Sequence, residues 1–323
     1  MAVGRDERET AHWTRYWRAP RLASCGPLDS AYAGPIGAHW EGIFARALRK
    51  GDRLLDLCAG NGAIAVLAAR TALRHRRPVR IDAIDRAAID PLRHLRLEKP
   101  VARQIRFHPR TDAAALPFRD GSFDWVVSQF GIEYAPRPAA VAEAVRVARP
   151  GARLHFVMHA AEGVLARAAA REKAEAEALR AAPLPARTRE VLARLKAGTD
   201  TAAAGLLIAG LKREADRLLK SLGAPANPGM VRHCVSLCLH TVSVAGHFPL
   251  RTLIEKIDEL EAELDAHARR LGDLLAAAVA REDLASWAAD LARFGATEVK
   301  TDALRAGPGE DLVAWIIDAR RAG

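Results

Sequence analysis

The sequence predicts an α/β protein built around a largely parallel sheet. An apolar run at residues 54–57 leads into a glycine-containing turn at residues 58–62, and a helical stretch follows from residue 63 to residue 70. A second apolar stretch, residues 79–85, then ends on an acidic residue. Strand, turn and helix alternate in this way in parallel sheets that helices cover on both faces. Because the chain has 323 residues, it predicts either two domains or one domain with an insertion.

The turn after the first strand is typical of a ligand cradle. Gly60 and Gly62 have no Cβ, so the backbone can turn sharply and come close to a ligand. Two glycines alone are weak evidence, since strands also turn into helices where no ligand binds. The interpretation therefore depends on the residues that follow at fixed distances.

Asp85 ends the second predicted strand, 23 positions after Gly62. In doubly wound sheets an acidic residue at about this spacing holds the ribose hydroxyls of a nucleoside. The alternative is that Asp85 caps a helix predicted over residues 86–97, because Asp is a preferred N-cap. The spacing favours the ribose role.

Several ordered motifs follow the second strand. They are a short strand at residues 105–107, an Asp-Ala pair at 112–113, a Leu-Pro-Phe turn at 116–118, a Phe-Asp within the apolar strand 122–128, and Arg-Pro-Gly at 149–151. In this order they resemble the motifs of class I S-adenosylmethionine-dependent methyltransferases. The resemblance is closest to the small-molecule group that includes the ubiquinone and menaquinone biosynthesis methyltransferases. It covers residues 50–159 and resumes over residues 284–319.

The resemblance implies a Rossmann-like, seven-stranded methyltransferase sheet with a long all-helical insertion between the fifth strand and the last helix. The implied domains are an N-terminal helical arm or lid (1–50), a cofactor-binding core (51–159), a helical insertion (160–283), and the last helix with two closing antiparallel strands (284–323). The insertion would serve as a cap, a substrate element or a dimer element. Aromatic residues are frequent in the arm, and Tyr16 with Trp17 would either close the site or simply dock the arm on the sheet.

S-adenosylmethionine is the cofactor that the resemblance implies. Asp56 and the glycine turn would surround its amino-acid part, and Asp85 would hold the ribose. Asp112 and Ala113 would meet the adenine, and Gln129 would lie near the methionine end and the acceptor. The implied cofactor-binding set is Asp56, Cys58, Gly60, Asn61, Gly62, Asp85, Arg86, Asp112, Ala113 and Gln129. Two small residues depart from the family pattern: Cys58 replaces its usual first glycine, and Ala152 replaces the second glycine after Pro150.

Methyl transfer needs an in-line approach of the acceptor, and it needs a base when the acceptor carries a proton. Glu133 and Tyr134 follow the fourth strand, and His159 ends the fifth, so all three are expected on the ligand-binding side of the sheet. A histidine that titrates near neutral pH suits such a base. Alternatively, Glu133 caps the next helix and His159 is a solvated strand end.

Three functions remain open from the sequence. The favoured one is methylation of a small molecule at oxygen, carbon or nitrogen, with the insertion as a substrate lid. Residues 128–131 read Ser-Gln-Phe-Gly rather than the Asp/Asn-Pro-Pro-aromatic run of amino-directed nucleobase enzymes, and no cysteine follows a proline as in pyrimidine C5 enzymes. The alternatives are an RNA or protein methyltransferase, and a catalytically inactive assembly protein that retains the fold.

The net charge of +10 bears on the RNA alternative. Residues 51–159 hold 18 Lys and Arg against 11 Asp and Glu, and an arginine-rich face is formed by Arg70, Arg74, Arg76, Arg77 and Arg80. Such a face could dock RNA through its phosphates. A solvated basic surface is the commoner case, so the sequence argues against a nucleic-acid partner.

A stripe of apolar residues runs through residues 253–274 at helical spacing: Leu253, Ile257, Leu260, Leu264, Leu271 and Leu274. It predicts packing on the insertion's own helices, with a homodimer through the insertion as the alternative. Residues 233–247 hold His233, Cys234, Cys238, His240 and His247, which invite a metal interpretation. The apolar surroundings favour a buried helix, and no metal site is predicted.

Compartment is also predicted from the sequence. The four cysteines form no disulfide framework, no apolar run is long enough to span a membrane, and the charged N-terminus lacks the apolar core of a secretory signal. These features predict a soluble cytoplasmic protein with no membrane partner.

Overall fold

The computed structural model describes residues 9–24, 32, 34–198, 200–307 and 310–323. It divides the chain into a sheet unit, which runs to Arg167 and resumes at Asp273, and a helical unit, Ala168–Gly272. The insertion boundaries predicted from the sequence, 160 and 283, are therefore too wide. Residues 160–167 and 273–283 belong to the sheet unit, because Ala161 and Val279 hydrogen-bond to each other and Val279 also bonds to the end of the fifth strand.

Seven strands form one mixed sheet, which confirms the predicted fold class. The strands are β1 (Arg53–Asp56), β2 (Arg80–Asp85), β3 (Ile105–Pro109), β4 (Phe123–Gln129), β5 (Ala148–His159), β6 (Ala296–Ala306) and β7 (Asp311–Arg321). Their order is β3-β2-β1-β4-β5-β7-β6. The first five run parallel, and β7 is antiparallel to both β5 and β6. The chain order reverses between β1 and β4, which is where open α/β sheets bind ligands, beyond the carboxyl ends of the strands.

Helices cover both faces of this sheet. The sheet unit contains α1 (Ala11–Arg18), α2 (Gly34–Ala47), α3 (Ala63–Arg74), α4 (Pro91–His94), α5 (Lys99–Ala102), α6 (Arg137–Val147) and α12 (Leu284–Arg293), with short 3₁₀ turns at Ile132–Tyr134 and Arg281–Asp283. One apolar layer contains Trp40 and Phe44 of α2 with most of α3. The opposite layer contains Val141 of α6 and Trp287 of α12. The central strands are apolar on both faces because each face is buried under helices.

The helix predicted over residues 86–97 is wrong. The structure has only the single turns α4 and α5 in this connection. Asp90 precedes Pro91 and has φ −145° and ψ 68°, outside the helical region. Proline disfavours helical backbone at the residue before it, so a helix cannot run through this dipeptide.

The helical unit consists of α8 (Leu184–Lys196), α9 (Thr201–Leu222) and α10 (Pro228–Ser243), together with most of α7 (Val164–Ala181) and α11 (Leu250–Ala277). The α11 residues Leu253, Ile257, Leu260 and Leu264 are at most 3% exposed in an apolar core with residues of α8 to α10. The stripe therefore packs on the chain's own helices, and these side chains are not exposed to a second chain.

Cys234 and Cys238 lie in the same core and are free thiols. Cys58, in the sheet unit, is also a free thiol, and Cys25 lies outside the described residues. Within the described ranges, His, Cys, Asp and Glu side chains form no group that could hold a metal ion. No helix in that part of the chain combines the length and apolar character needed to cross a membrane.

Candidate active site

The turn between β1 and α3 has an unusual backbone. Cys58, Gly60 and Gly62 all have positive φ, at 53°, 53° and 82°. An L-residue in this left-handed region costs roughly 1–2 kcal/mol, which explains why glycine is the usual residue in such turns. The Cys58 replacement therefore leaves the turn's shape intact and carries backbone strain.

Asp85 anchors this turn from the end of β2. Its Oδ2 accepts a hydrogen bond of 2.7 Å from the Gly60 amide, and its Oδ1 accepts one of 2.8 Å from the Ala87 amide. Burial raises the pKa of Asp85 to about 6, although the Ala87 and Gly60 hydrogen bonds oppose the shift. Asp85 does not cap a helix, because no helix starts here.

Asp56, the last residue of β1, is 1% exposed and accepts a 3.1 Å hydrogen bond from the Ala65 amide in the first turn of α3. Burial raises the pKa of Asp56 to about 8; the Ala65 hydrogen bond opposes this, and the charge of Asp85 adds to it. Two carboxyl groups thus lie close together at the ends of neighbouring strands.

Four carboxyl groups converge around the turn. The pKa of the Cys58 thiol is raised well above its usual range, first by burial and then by the negative charges that surround it: Asp85, Glu133, Asp56 and Asp112. These four residues, called the carboxylate cluster below, come from β1, β2, the β3–β4 connection and the turn after β4. Such a cluster favours a ligand with positive charge.

The remaining predicted cofactor residues differ in where they lie. Asp112 accepts a 2.8 Å hydrogen bond from the Ala114 amide, and Ala113 between them is buried. The structure does not bring Arg86 into the cluster, because its guanidinium pairs at 2.9 Å with Glu9 and both side chains are nearly half exposed.

Glu133 and His159 form a buried pair. The backbone amide and ring Nδ1 of His159 both lie 2.9 Å from Glu133 Oε1, and the side chains are at most 2% exposed. Phe130 stacks on the imidazole with 4.0 Å between ring centroids, and the half-buried Tyr134 meets it edge-on at 6.0 Å. The three predicted base candidates thus lie together. Glu133 bonds to His159 rather than to the start of α6, and His159 is no solvated strand end.

The N-terminal arm lies against the glycine turn. The Trp17 ring packs so closely on Gly60 that a Cβ at position 60 would overlap it. Asn61 Nδ2 donates hydrogen bonds to the Trp17 and Arg21 carbonyl oxygens, at 2.9 and 2.8 Å. Trp13 meets Tyr134 edge-on, with ring centroids 5.5 Å apart. The arm therefore connects the glycine turn with the Glu133–His159 side of the site.

A family model described as a methyltransferase domain matches residues 55–156. Those residues include the end of β1, the glycine turn, β2 to β4 and most of β5. Residues 55–156 thus match a methyltransferase domain.

Curated relatives agree over this domain. A demethylmenaquinone methyltransferase of Beutenbergia cavernae is 35% identical over 111 residues, which cover 34% of this chain and 42% of that protein. A ubiquinone/menaquinone biosynthesis C-methyltransferase of Pseudomonas putida is 34% identical over 130 residues, 39% of this chain and 50% of that protein. An uncharacterized protein of Mycobacterium tuberculosis is 32% identical over 128 residues, 39% of this chain and 43% of that protein. The chain thus spans half or less of the length of these relatives.

Sequence reasoning missed a polar network under α2 of the sheet unit. Gln129 Oε1 accepts a 2.5 Å hydrogen bond from Trp40 Nε1, so α2 holds the predicted substrate-end residue. His39, the residue before Trp40, has its Nε2 2.9 Å from His155 Nε2, and His155 Nδ1 lies 3.0 Å from Asp318. Burial lowers the pKa of His39 to about 4 and lowers that of His155. In the sequence, the only sign of this network was that polar and apolar residues alternate along part of β5.

Three buried polar atoms at the candidate site test its fit to S-adenosylmethionine. Asn61 Oδ1, Gln129 Nε2 and Glu133 Oε2 have no hydrogen-bond partner in the described part of the chain. Buried polar atoms normally have partners, so this group points to an absent polar ligand. The ammonium and sulfonium of the donor match the two acceptor oxygens and the carboxylate cluster. Its carboxylate matches the Gln129 amide donor. The residues present therefore fit the cofactor.

Proposed function

We propose that this chain is an S-adenosylmethionine-dependent methyltransferase that methylates a small molecule at oxygen, carbon or nitrogen. The observation that carries the proposal is the carboxylate cluster around the left-handed turn, with Asp85 bonded to the Gly60 amide. A cationic nucleoside ligand matches both the charge and the backbone of this site.

The donor, when bound, supplies an activated methyl group on its sulfonium. The proposed task of the chain is to hold that donor: Asp56 and residues 58–62 bind its amino-acid part, and Asp85 binds the ribose. Asp112 with Ala113 binds the adenine. Gln129, fixed by Trp40, orients the methionine end and the acceptor. Positioning of this kind provides much of the rate in a transfer between two bound reactants.

We assign His159 as the base for an acceptor that must lose a proton, with Glu133 orienting it. Because the Glu133 carboxylate accepts the hydrogen bond at Nδ1, the neutral ring keeps its basic lone pair on Nε2. This is the arrangement in which a carboxylate fixes the tautomer of a catalytic histidine. Tyr134, which is half-buried beside the ring, would contact the acceptor.

Two observations favour a small acceptor. Two of the relatives are named for demethylmenaquinone methylation and for ubiquinone/menaquinone biosynthesis. The inserted segment also leaves and rejoins the sheet beside His159: the Val279 amide donates to the His159 carbonyl at 2.8 Å, and the Ala161 amide donates to the Val279 carbonyl at 2.9 Å. We therefore propose the helical insertion as a substrate lid and the N-terminal arm as a cover for the donor.

Isothermal titration with S-adenosylmethionine tests this function. Wild type should bind, and Asp85→Ala should weaken binding by about 10- to 100-fold, because a hydrogen bond to a charged group is worth about 1.5–3 kcal/mol. Asp90→Asn is the matched control: it changes an exposed carboxylate in the same connection and should bind like wild type.

Because Asp85 also holds the Gly60 amide, thermal unfolding of each variant must show that the protein stays folded. Folded wild type that fails to bind at high micromolar donor would overturn the proposal. Equal binding by wild type and Asp85→Ala would overturn it as well.

A further inference from the structure

The opposite edge of the same sheet contains a basic cleft of about 760 Å³. This edge holds the amino ends of β1, β4 and β5 and the carboxyl end of the antiparallel β7. The C-terminus of α2 with the loop after it forms one wall, and the turn around Gly151 in β5 forms another. The cleft is thus separate from the candidate active site, which lies at the carboxyl edge of the parallel strands.

The lining of the cleft contains seven cationic side chains and two carboxylates. Three of the arginines are neutralised: Arg149 pairs with Asp124 at 2.7 Å, Arg153 with Asp318 at 2.5 Å, and Arg320 with Glu298 at 3.8 Å. A positive excess therefore remains on the other four.

Those four residues, Arg46, Arg49, Lys50 and Arg77, are called the cleft cations. None forms an ion pair with a carboxylate in the described ranges. Arg77 donates to the Ala45 and Leu48 carbonyl oxygens and so closes the end of α2. The other three are exposed.

The two lining carboxylates offset only part of this charge: Asp124 already pairs with Arg149, and Asp52, whose donors are neutral, balances one of the four cleft cations. Asp52 accepts hydrogen bonds from the Arg49 backbone amide at 2.8 Å and from Trp125 Nε1 at 3.2 Å. Asp124 accepts one from the Arg53 amide at 2.8 Å in addition to its pair with Arg149. Solvated cations without protein partners are available to an anionic ligand.

The cleft is long as well as basic. It runs across the ends of β1, β4, β5 and β7, which are successive neighbours in the sheet. Three strand spacings correspond to about 14 Å. Charges distributed over this length suit a ligand with several negative groups better than a single small anion.

We propose that this cleft binds a ligand with several neighbouring phosphate groups. An RNA strand and an inorganic polyphosphate both have this chemistry. The cleft cations supply the charge that meets the phosphates, and Arg149 and Arg153 border the same surface. The proposal does not depend on donor binding or on methyl transfer, so both of its experiments omit the donor.

The first experiment measures fluorescence anisotropy of a labelled oligouridylate at about 50 to 200 mM NaCl. The variant is Arg49→Ala with Lys50→Ala. The matched control is Arg103→Ala with Arg106→Ala, two exposed arginines elsewhere on the sheet unit that pair with no carboxylate among the described residues. Each single-strand phosphate contact contributes about 0.7 to the slope of log affinity against log salt, so the variant should lower that slope by about 1.4. Its affinity at the lowest salt should fall about tenfold or more.

The second experiment titrates inorganic tripolyphosphate calorimetrically into wild type and both double variants. Binding of tripolyphosphate that the cleft variant weakens assigns a polyphosphate ligand. Binding of oligouridylate alone, again weakened only in the cleft variant, assigns an RNA strand.

Two results would overturn the proposal. One is that wild type binds neither probe at the lowest salt. The other is that the control variant loses as much affinity as the cleft variant, since the binding would then belong to the basic surface as a whole. Thermal unfolding confirms that both variants are folded.

Discussion

The two edges of one sheet differ in charge and in how that charge is held. At the carboxyl edge the carboxylate cluster is buried at Asp56 and Glu133 and half-buried at Asp85 and Asp112, and two of its members accept hydrogen bonds from the Gly60 and Ala65 amides. At the amino edge the cleft cations are mostly exposed and have no carboxylate partners in the described ranges. The parallel topology separates them, because it gathers the loops that follow strands at one edge and the loops that precede strands at the other.

The difference determines how each edge should respond to a ligand. Buried carboxyl groups prefer their protons until a cation joins them, as the pKa values of about 6 for Asp85 and about 8 for Asp56 indicate. Exposed arginine and lysine side chains stay charged at any physiological pH and are screened by salt. The carboxyl edge should therefore depend on pH, and the amino edge on ionic strength.

The largest effect is expected where the carboxyl edge holds its proposed base. His159→Gln should lower the rate of methyl transfer to an acceptor that must be deprotonated by about 10²- to 10⁴-fold, the usual contribution of a general base. Initial rates with labelled S-adenosylmethionine and a demethylmenaquinone-type acceptor measure this. Donor affinity, measured by calorimetry, should stay within about twofold of wild type. An unchanged rate would remove His159 from the chemistry.

A steric test compares a glycine at each edge. Gly60→Ala would push a Cβ into the Trp17 ring and should cost about 2–4 kcal/mol of unfolding free energy, from crowding together with left-handed strain. Gly51, in the loop before β1, also has positive φ but has nothing within 4 Å of the added Cβ, so Gly51→Ala should lose only the strain, about 1–2 kcal/mol.

Urea unfolding of both variants measures the difference. In a Trp17→Ala background, Gly60→Ala should cost only the strain, because the ring that crowds the added Cβ is absent. Equal losses at positions 51 and 60 would mean that the arm does not press on the glycine turn.

pH separates the two edges more directly. Burial raises the pKa of Asp85 from 3.8 to about 6, so the folded chain binds more protons than the unfolded chain between these values. The contribution of Asp85 to stability therefore falls as pH rises from about 4 to about 6. Donor binding should show the opposite trend: its affinity should decrease by up to about tenfold per pH unit below pH 6, because protons compete with the donor.

Calorimetry from pH 5 to 8 measures this dependence. Asp85→Asn should remove the part that begins below about pH 6 and leave the part that Asp56 contributes below about pH 8. Oligouridylate affinity at the amino edge should stay flat over the same range, because arginine and lysine do not titrate there. A flat donor affinity in wild type would contradict the role of Asp85.

The smallest effect is expected from relieving strain in the glycine turn. Cys58→Gly removes the strain of an L-residue in the left-handed region, whereas the greater backbone entropy of glycine in the unfolded chain opposes this gain. The variant should therefore be more stable than wild type by about 0.5–1 kcal/mol. Cys58→Ser keeps the Cβ and should gain nothing. Urea midpoints measure both variants, and a less stable Cys58→Gly would show that contacts of the thiol outweigh the strain.

Local patterns were enough to predict the sheet. Apolar runs at β1, β2 and β4 and the turns between them are short-range signals of an α/β sheet, and the resemblance to class I methyltransferases implied the full set of seven strands. The helix predicted after Asp85 failed at Asp90–Pro91, where one proline outweighed the helical spacing around it.

Contacts between distant segments could not be predicted. Trp17 meets Gly60, and His39 meets His155, only because the arm and α2 fold back on the sheet. The arginine-rich face predicted from the sequence overlaps the cleft at Arg77, whereas Arg70 and Arg74 pair with Glu98 and Glu41. The cleft cations come from α2, the loop after it and the segment before β2, so no single window of sequence shows them.

Hydrogen–deuterium exchange with and without S-adenosylmethionine tests the central claim, that the carboxyl edge is the donor site. Protection should be concentrated in peptides that cover residues 56–62, 85–87 and 112–114, whose amides line the carboxylate cluster. Peptides that cover residues 46–53 and 149–153 at the amino edge should exchange as before. Protection at the amino edge instead, or no change at residues 56–62 at saturating donor, would contradict the account.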